Sequence, residues 1–347
     1  MHALLALLAV VALGLAAFAG ALRPELRLAI GVALPSVSFF VFLAGTAWRV
    51  VGWANSPVPF RIPVTSGQQA SFRWLKPSRL DNPSTLAGVM GRMALEVLLF
   101  RSLFRNVKSD LRPGRLIFRD ATGLWLAALA FHYSLLLVVV RHLRFFMQPV
   151  PGVVAALAGV DAFFQAGVPA VYATDVAMLA ALGYLLFRRL REPHLRYLSL
   201  FSDYFALFVL LGIATTGVLM RHVIRVDVIA VKELAMSLVT LSSPRLGASL
   251  HPIVFAHLAL VSVLVASLPF SKLMHMGGVF LSPTRNLANN NRAKRHVNPW
   301  NAPVKVHTYD AWEDEFRDKL IAAGLPVERS GRSPAEAGCH QESADHV

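Results

Sequence analysis

Apolar tracts long enough to cross a bilayer recur along this chain, and they decide most of what it can fold into. About 20 residues at 1.5 Å rise each match a hydrocarbon core of about 30 Å. Leu28 to Trp48 carries no charge at all. Ala121 to Val140, Val168 to Phe187, Leu198 to Met220 and Leu246 to Ser271 are comparable tracts, interrupted only by histidines or by a single Asp. Met1 to Leu22 is apolar apart from His2. Its Ala17-Phe18-Ala19 matches an A-x-A cleavage site, so a signal peptide is one reading. The positive n-region of such peptides is missing, so the other reading is a first span. The fold class is therefore all-α: an integral membrane helical bundle of about six transmembrane helices. Pro35 is expected to kink the second span, a defect that neighbouring helices repair.

Composition sharpens this. The chain of 347 residues is 55% hydrophobic and 16% charged, against about 25% charged in soluble domains. Its net charge of +14 comes from Lys and Arg placed between the apolar tracts. The positive-inside rule accounts for that placement. Nucleic acid is not the partner, since there is no basic stripe or binding motif. Cys339 is the single cysteine. It closes no internal disulfide and cannot hold an iron–sulfur cluster, which takes about four ligands. Any redox work needs another cofactor and a redox partner.

The charges also set the organisation. Residues 1–52 hold two N-terminal spans. Residues 53–120 form a basic loop, from Arg61 and Arg73 to Arg115 and Arg119, with only Asp81, Glu96, Asp110 and Asp120 as acids. Such an excess belongs in the cytoplasm, and Leu86 to Phe104 reads as an amphipathic helix on the inner surface. Residues 121–275 form a four-helix membrane domain. Within it Phe145 to Val160, with Pro149 and Pro151, is short and reads as interfacial or re-entrant. Arg188, Arg189, Arg191 and Arg196 mark an inner loop, and the mixed stretch Arg221 to Arg245 an outer one. Residues 276–347 are a polar tail with a cytoplasmic C-terminus. There Asp310 reads as an N-cap with Glu313 three residues on. Trp312, Phe316 and Leu320 follow as an apolar stripe that needs a surface to cover it, a partner's more readily than the tail's own.

Four of the twelve histidines stand out. His132 and His142 are ten residues apart on the third span, about 15 Å of rise; His257 and His275 are eighteen apart on the sixth, about 27 Å. The two spans run antiparallel. His132 sits in the inner half and His142 at the outer end, His257 in the outer half and His275 at the inner end. Inner thus faces inner and outer faces outer, which suits two His–iron–His bridges at two depths. Two imidazoles per iron leave no position for substrate, so the chemistry is electron transfer. No C-x-x-C-H motif is present, so the haems are expected to be b-type. Arg141, Arg144 and Lys272 flank the ligands and suit haem propionates. The unequal rises do not match, and ten residues leave two side chains on different faces of an ideal helix. A histidine near an interface is often only a polar end residue, though ionisable groups within spans are functional by default. His222 and His251 also lie near span ends, without partners as well placed. For Asp175, near the outer end of the fourth span, interfacial water accounts for the charge as well as proton transfer does. Asp203 reads as interfacial.

With these spacings the sequence resembles the membrane cytochrome b subunits of the respiratory nitrate reductase gamma type, in which four histidines spaced ten and eighteen hold two b haems. The resemblance implies His132 with His275 and His142 with His257. The segment Leu268-Pro269-Phe270-Ser271-Lys272-Leu273-Met274-His275 is similar to heterodisulfide-reductase-linked cytochromes. Ser282-Pro283-Thr284-Arg285-Asn286 through Asn298-Pro299-Trp300-Asn301 looks like the M-subunit family of dissimilatory sulfite reductase-associated membrane complexes. That family implies an electron-transfer subunit in a bacterial cytoplasmic membrane, serving sulfur metabolism. Electrons would pass between the quinone pool and a cytoplasmic iron–sulfur, heterodisulfide-reductase-like subunit. A periplasmic multihaem cytochrome c, a periplasmic iron–sulfur protein and a second membrane subunit would complete the complex. The quinone is expected near the outer haem, walled by Phe145 to Val160, with Asp161 and Gln165 as polar contacts. The competing classes are a transporter or proton channel without haem, for which no inverted repeat is visible, and a purely structural anchor.

Overall fold

The computed structural model describes residues 1–55, 78–163, 171–242, 250–289 and 307–328. Helix α1 spans His2–Ala21, α2 Pro24–Ala54 and α3 Leu86–Leu99. A two-stranded antiparallel hairpin follows, β1 Val107–Arg112 and β2 Arg115–Asp120, in the register Val107 opposite Asp120. Next come α4 Thr122–Phe146, α5 Gly152–Phe163, α6 Ala173–Arg191 and α7 Phe201–Ile224. Helices α8 Val228–Thr240 and α9 Pro252–Phe270 complete the membrane part, and α10 Tyr309–Ala322 lies in the tail. The chain divides into two units, Met1–Asn298 and Pro299–Val347.

The protein is an all-α membrane bundle. Helices α1, α2, α4, α7 and α9 are long and apolar enough to cross a membrane. The fourth expected span is α6. It starts at Ala173 rather than Val168, residues 164–170 lying outside the described ones, and it runs on through Arg188 and Arg189 to Arg191. Asp175 in its first turn and three arginines in its last leave a short uncharged middle. Both charge signs suit the helix dipole, and the long arginines can carry their charge toward the interface. The sixth span begins at Pro252, six residues later than Leu246, because Pro252 takes the first-turn position that needs no N–H and His251 caps the helix through Ile253 N. Residues 243–249 lie outside the described ones.

Small residues let the helices approach, as membrane packing requires. The buried stripe Ala6, Val10, Ala17 and Ala21 of α1 lies against α7 and α9. A Cβ on Gly45 of α2 would come within 2.7 Å of the Phe270 ring, and one on Gly31 within 3.0 Å of Phe255. A π-turn over Ala29–Ala33 lies just before Pro35, a local adjustment of the ladder where proline supplies no N–H. One apolar cluster joins Phe131 of α4, Met178, Ala181 and Leu182 of α6, and Leu210 and Ala214 of α7. Another joins Ala21, Leu234 of α8, and Val254 and Phe255 of α9. Helix α4 thus packs on α5, α6 and α8, and α9 on α1, α2 and α7. Helix α4 packs on α6, α6 on α7 and α7 on α9.

The loop before α4 holds more order than its charge suggested. The amphipathic helix is present as α3, capped by Thr85. Phe100 turns the chain in a left-handed conformation at φ 49°. Trp125 Nε1 and Tyr133 Oη of α4 donate to Leu99 O and Leu98 O at 2.7 and 2.8 Å, pinning α3 to α4. The hairpin was not legible in the sequence pattern. Residues 276–289 belong with the first unit: Arg285 pairs with Glu96, and Asn289 N donates to Pro83 O at 2.7 Å.

In the second unit the N-cap of α10 is Thr308, not Asp310: its hydroxyl accepts from Ala311 N at 3.2 Å. Glu313 is buried and accepts from Glu328 N instead of closing a capping box. Tyr309, Trp312 and Phe316 stack in series at 5.8 and 5.9 Å, with Trp312 exposed. Arg292, Lys294, Arg295, Cys339 and the motif from Asn298 to Asn301 lie outside the described residues.

Candidate functional site

The four histidines come together in two pairs. His132 of α4 and His275 face each other with ring centroids 6.0 Å apart. His257 of α9 lies within electrostatic range of His142 at the end of α4. The unequal spacings are reconciled by the chain itself. After the 3-10 turn Leu268–Phe270, Ser271 is extended, and His275 starts a new helix, His275–Leu281. It is therefore not carried eighteen residues along one straight rod.

Each imidazole is fixed in the same chemical state. His132 Nδ1 lies 2.7 Å from Ala128 O, His142 Nδ1 2.6 Å from Val138 O, and His275 Nδ1 2.9 Å from Lys272 O. A carbonyl only accepts, so each Nδ1 carries the proton. His257 Nδ1 lies 2.8 Å from Thr216 Oγ1. That hydroxyl spends its own proton on Gly212 O at 2.7 Å, so it accepts from His257. All four rings thus present Nε2 with its lone pair. Anchoring one ring nitrogen to orient the other is how histidines are prepared as metal ligands.

The donor set fits a metal bound by two imidazoles. Bonds of about 2 Å on each side, plus about 1 Å from nitrogen to ring centre, give a separation of roughly 6 Å. Among the described residues no three His, Cys, Asp or Glu side chains form a metal cage. Ligands in twos suit a metal whose other positions a macrocycle fills.

The surroundings of the pairs differ. Around His132 stand the rings of Phe100 at 4.9 Å and Phe131 at 5.0 Å. Lys272, three residues before His275, reaches Asp203 Oδ1 with its ammonium at 2.8 Å. Asp203 also accepts from Leu200 N at 3.0 Å, closing the start of α7.

Beside His142 lies a buried charged cluster. Arg141 pairs with Asp161 of α5 and donates to Thr174 Oγ1 at 3.1 Å; Thr174 in turn donates to Asp161 at 2.7 Å. The Arg141 guanidinium lies 4.1 Å from the centre of the Tyr172 ring, and Arg221 lies 4.4 Å from it while donating to its hydroxyl. Arg144 sits over Phe145 at 5.0 Å. His222 Nε2 lies 3.2 Å from Asp175 Oδ2. His222, expected to lack a partner, therefore has one. His251 caps α9 and packs on Phe18 at 6.1 Å. Gln165 lies outside the described residues. Sequence reasoning missed Tyr172, Arg221 and Thr216. The one available signal was that Asp175 and His222 sit at matching outer ends of consecutive spans.

Residues 112–293, which contain all four histidines, match the nitrate reductase gamma subunit family. The chain is similar to the Hdr-like menaquinol oxidoreductase cytochrome b-like subunit of Archaeoglobus fulgidus. They are 48% identical over 276 residues, covering 78% of this chain and 82% of that protein. The protein of the same description from Archaeoglobus profundus is 44% identical over 274 residues, covering 77% and 81%.

Proposed function

Since the chain belongs to the nitrate reductase gamma subunit family, we propose that it is a membrane cytochrome b with two haems, carrying electrons between a quinone and a heterodisulfide-reductase-like iron–sulfur partner. One observation carries the reading: four histidines in two pairs, each with Nδ1 tied and Nε2 left for a metal. His132 and His275 would hold the inner haem, His142 and His257 the outer one. Bound there, haem supplies reversible one-electron transfer. With two imidazoles given to each metal, no place would be left for oxygen or substrate, and the chemistry supplied would be electron transfer alone.

The residues do the rest. Ala128 O, Val138 O, Lys272 O and Thr216 Oγ1 hold the ligand tautomers. Phe100 and Phe131 wall the ring of His132. Arg141, Arg144 and Arg221 favour anionic propionates at the outer one. The printed names of the relatives support menaquinol as the diffusible carrier and a complex with Hdr-like subunits. The inner pair, beside the basic cytoplasmic segment, would serve the iron–sulfur partner. The outer pair would serve the quinone, and periplasmic cytochrome c and iron–sulfur subunits would join from that side. Electrons passed inward from such a site work against an inside-negative potential, about 2.3 kcal/mol per charge per 100 mV.

A pyridine haemochrome assay on the purified full chain tests this. About two b haems per chain are expected. A chain that binds no haem would overturn the reading.

A further inference from the structure

Helix α7 does not finish as an α-helix. Its last turn, Leu219–Ile224, is a π-turn, and Arg225 after it is left-handed at φ 55°. Such turns inside helices are rare and recur at functional sites. Consecutive helical residues normally point about 100° apart. Here Arg221 and His222 both meet Tyr172: Arg221 at its hydroxyl, and His222 with its ring at 5.9 Å in an edge-on contact. The His222 and Asp175 side chains are only 8% and 10% exposed, and their closest atoms are 3.2 Å apart.

A carboxylate accepts, so His222 Nε2–H donates to Asp175 and His222 Nδ1 keeps a lone pair. An imidazole held by a buried carboxylate on one nitrogen and basic on the other is the arrangement of a proton acceptor. Bracing alone does not require it. Helices α6 and α7 are already joined through Met178, Leu182, Leu210 and Ala214, and Arg141, Asp161 and Thr174 already tie α4, α5 and α6 together. An ionisable pair near the end of two spans is a functional group by default.

We propose that His222, held by Asp175, is the proton acceptor for quinol oxidation on the outer side. This rests on the functional reading above. Oxidation of one quinol breaks two O–H bonds and yields quinone, two electrons and two protons. The electrons would be taken singly by the oxidised haems that the two histidine pairs would hold. Each proton forms an N–H bond at His222 Nδ1, giving an imidazolium that Asp175 stabilises, and then leaves to the outer solvent before the next arrives. In the reverse direction the pair returns the protons. The charged and titratable groups against His222 are Asp175 and Tyr172 at the start of α6. Arg221 of its own turn lies within electrostatic range of Arg141 and Arg144 of α4 and Asp161 of α5, and Asp175 within that of His142. From α8, Leu234 shares an apolar cluster with Met220 and Val226 around this turn.

The test is single-turnover haem reduction by a short-chain naphthoquinol, followed at the haem band across pH in the full chain. H222Q and D175N should retain haem content and the dithionite-reduced spectrum. Their quinol-driven rate should fall about 100-fold, the size of a general-base contribution. The rise of rate with pH that a single acceptor gives should disappear in H222Q. Wild-type rate and pH profile in H222Q would overturn the proposal, as would loss of haem from both variants, which would make the pair structural. A wild-type chain without haem would sink the functional reading instead.

Discussion

The two histidine pairs share a ligand chemistry and differ in everything around it. The inner pair is walled by Phe100 and Phe131, and the nearby Lys272–Asp203 ion pair has its lysine 78% exposed. The outer pair lies beside arginines, acids and a second histidine, with Arg141 and Asp161 only 12% and 3% exposed. Aromatic rings around His132 offer nothing to protonate, which suits an electron carrier. A buried polar cluster is expensive unless fully paired, and it earns its place where electrons and protons move together. Under the proposed function, the contrast suits a proton-coupled carrier at the outer pair and a pure electron carrier at the inner one.

Removing ligands is the largest way to break that contrast. His142→Ala should take away the outer haem, leave the inner one, and abolish reduction by quinol altogether. His275→Ala should take away the inner haem and leave quinol reduction of the outer one intact. Haem stoichiometry and quinol-driven spectra measure both. Full quinol reduction in His142→Ala would place the quinone at the inner pair and reverse the assignment.

Next in size is stability. Asp161→Ala strands Arg141 in a buried site, and breaking a buried pair costs about 3–5 kcal/mol. Asp203→Ala releases exposed Lys272, the longer contact to Arg189 at 3.8 Å and the cap on Leu200 N, about 1–2 kcal/mol together. Thermal melts followed at the haem band should rank Asp161→Ala well below Asp203→Ala. Equal losses would remove the distinction between a buried outer cluster and an exposed inner pair.

Smaller still is a change at one ligand's support. Three of the four histidines lean on backbone carbonyls that no side-chain substitution removes; His257 leans on the Thr216 hydroxyl as well as on the Ile213 backbone. Thr216→Val keeps the shape and removes the acceptor. Outer haem affinity should fall about 10-fold, in line with other lost outer-shell partners, while the inner haem is unchanged. Titration of apo-protein with haemin measures it. An equal loss at both sites would mean that the substitution acts on the bundle as a whole.

Much of this was legible in the sequence, and the limits have physical causes. Spans show because lipid demands long apolar runs, and the histidines show because ionisable groups there are rare. The pairing of His132 with His275 was expected from depth. The break at Ser271 that permits it was not, since nothing in Pro269-Phe270-Ser271 announces where a helix restarts. Thr308 displaced Asp310 as cap because both residue types cap well and pattern alone does not choose between them. Arg141 and Asp161 were named, but the meeting of Arg221 and His222 with Tyr172 escaped because it sits on a π-turn at Leu219–Ile224, and π-turns carry no periodic signature. Helix α8 was hidden by its mixed charge, although Asp227 caps it through Ile229 N and Ala230 N.

The smallest expected effect lies in the segment before α4, where acid–arginine chemistry recurs near the surface. Asp81 is held by Arg101, Arg105 and Ser78 at the start of the α3 region. Burial alone would raise its carboxyl, but the hydrogen bonds from Arg101, Ser78 and Arg105 outweigh it and hold the group down at about 2. The unfolded value is about 3.9. A depressed carboxylate contributes its stabilisation fully above the unfolded value, and the contribution is lost as pH falls through the folded one. It should therefore be constant from neutral pH down to about 4 and disappear toward about 2. Arg105 is half exposed, so solvent screening keeps the whole contribution near ~0.5 kcal/mol. Asp81→Asn should lower protection of the Leu86–Leu99 amides slightly at pH 6 and make no difference at pH 2, read by hydrogen exchange. Protection that falls as much as in Asp161→Ala would show that this segment is as tightly built as the outer cluster, and the comparison between the two sides would have to be redrawn.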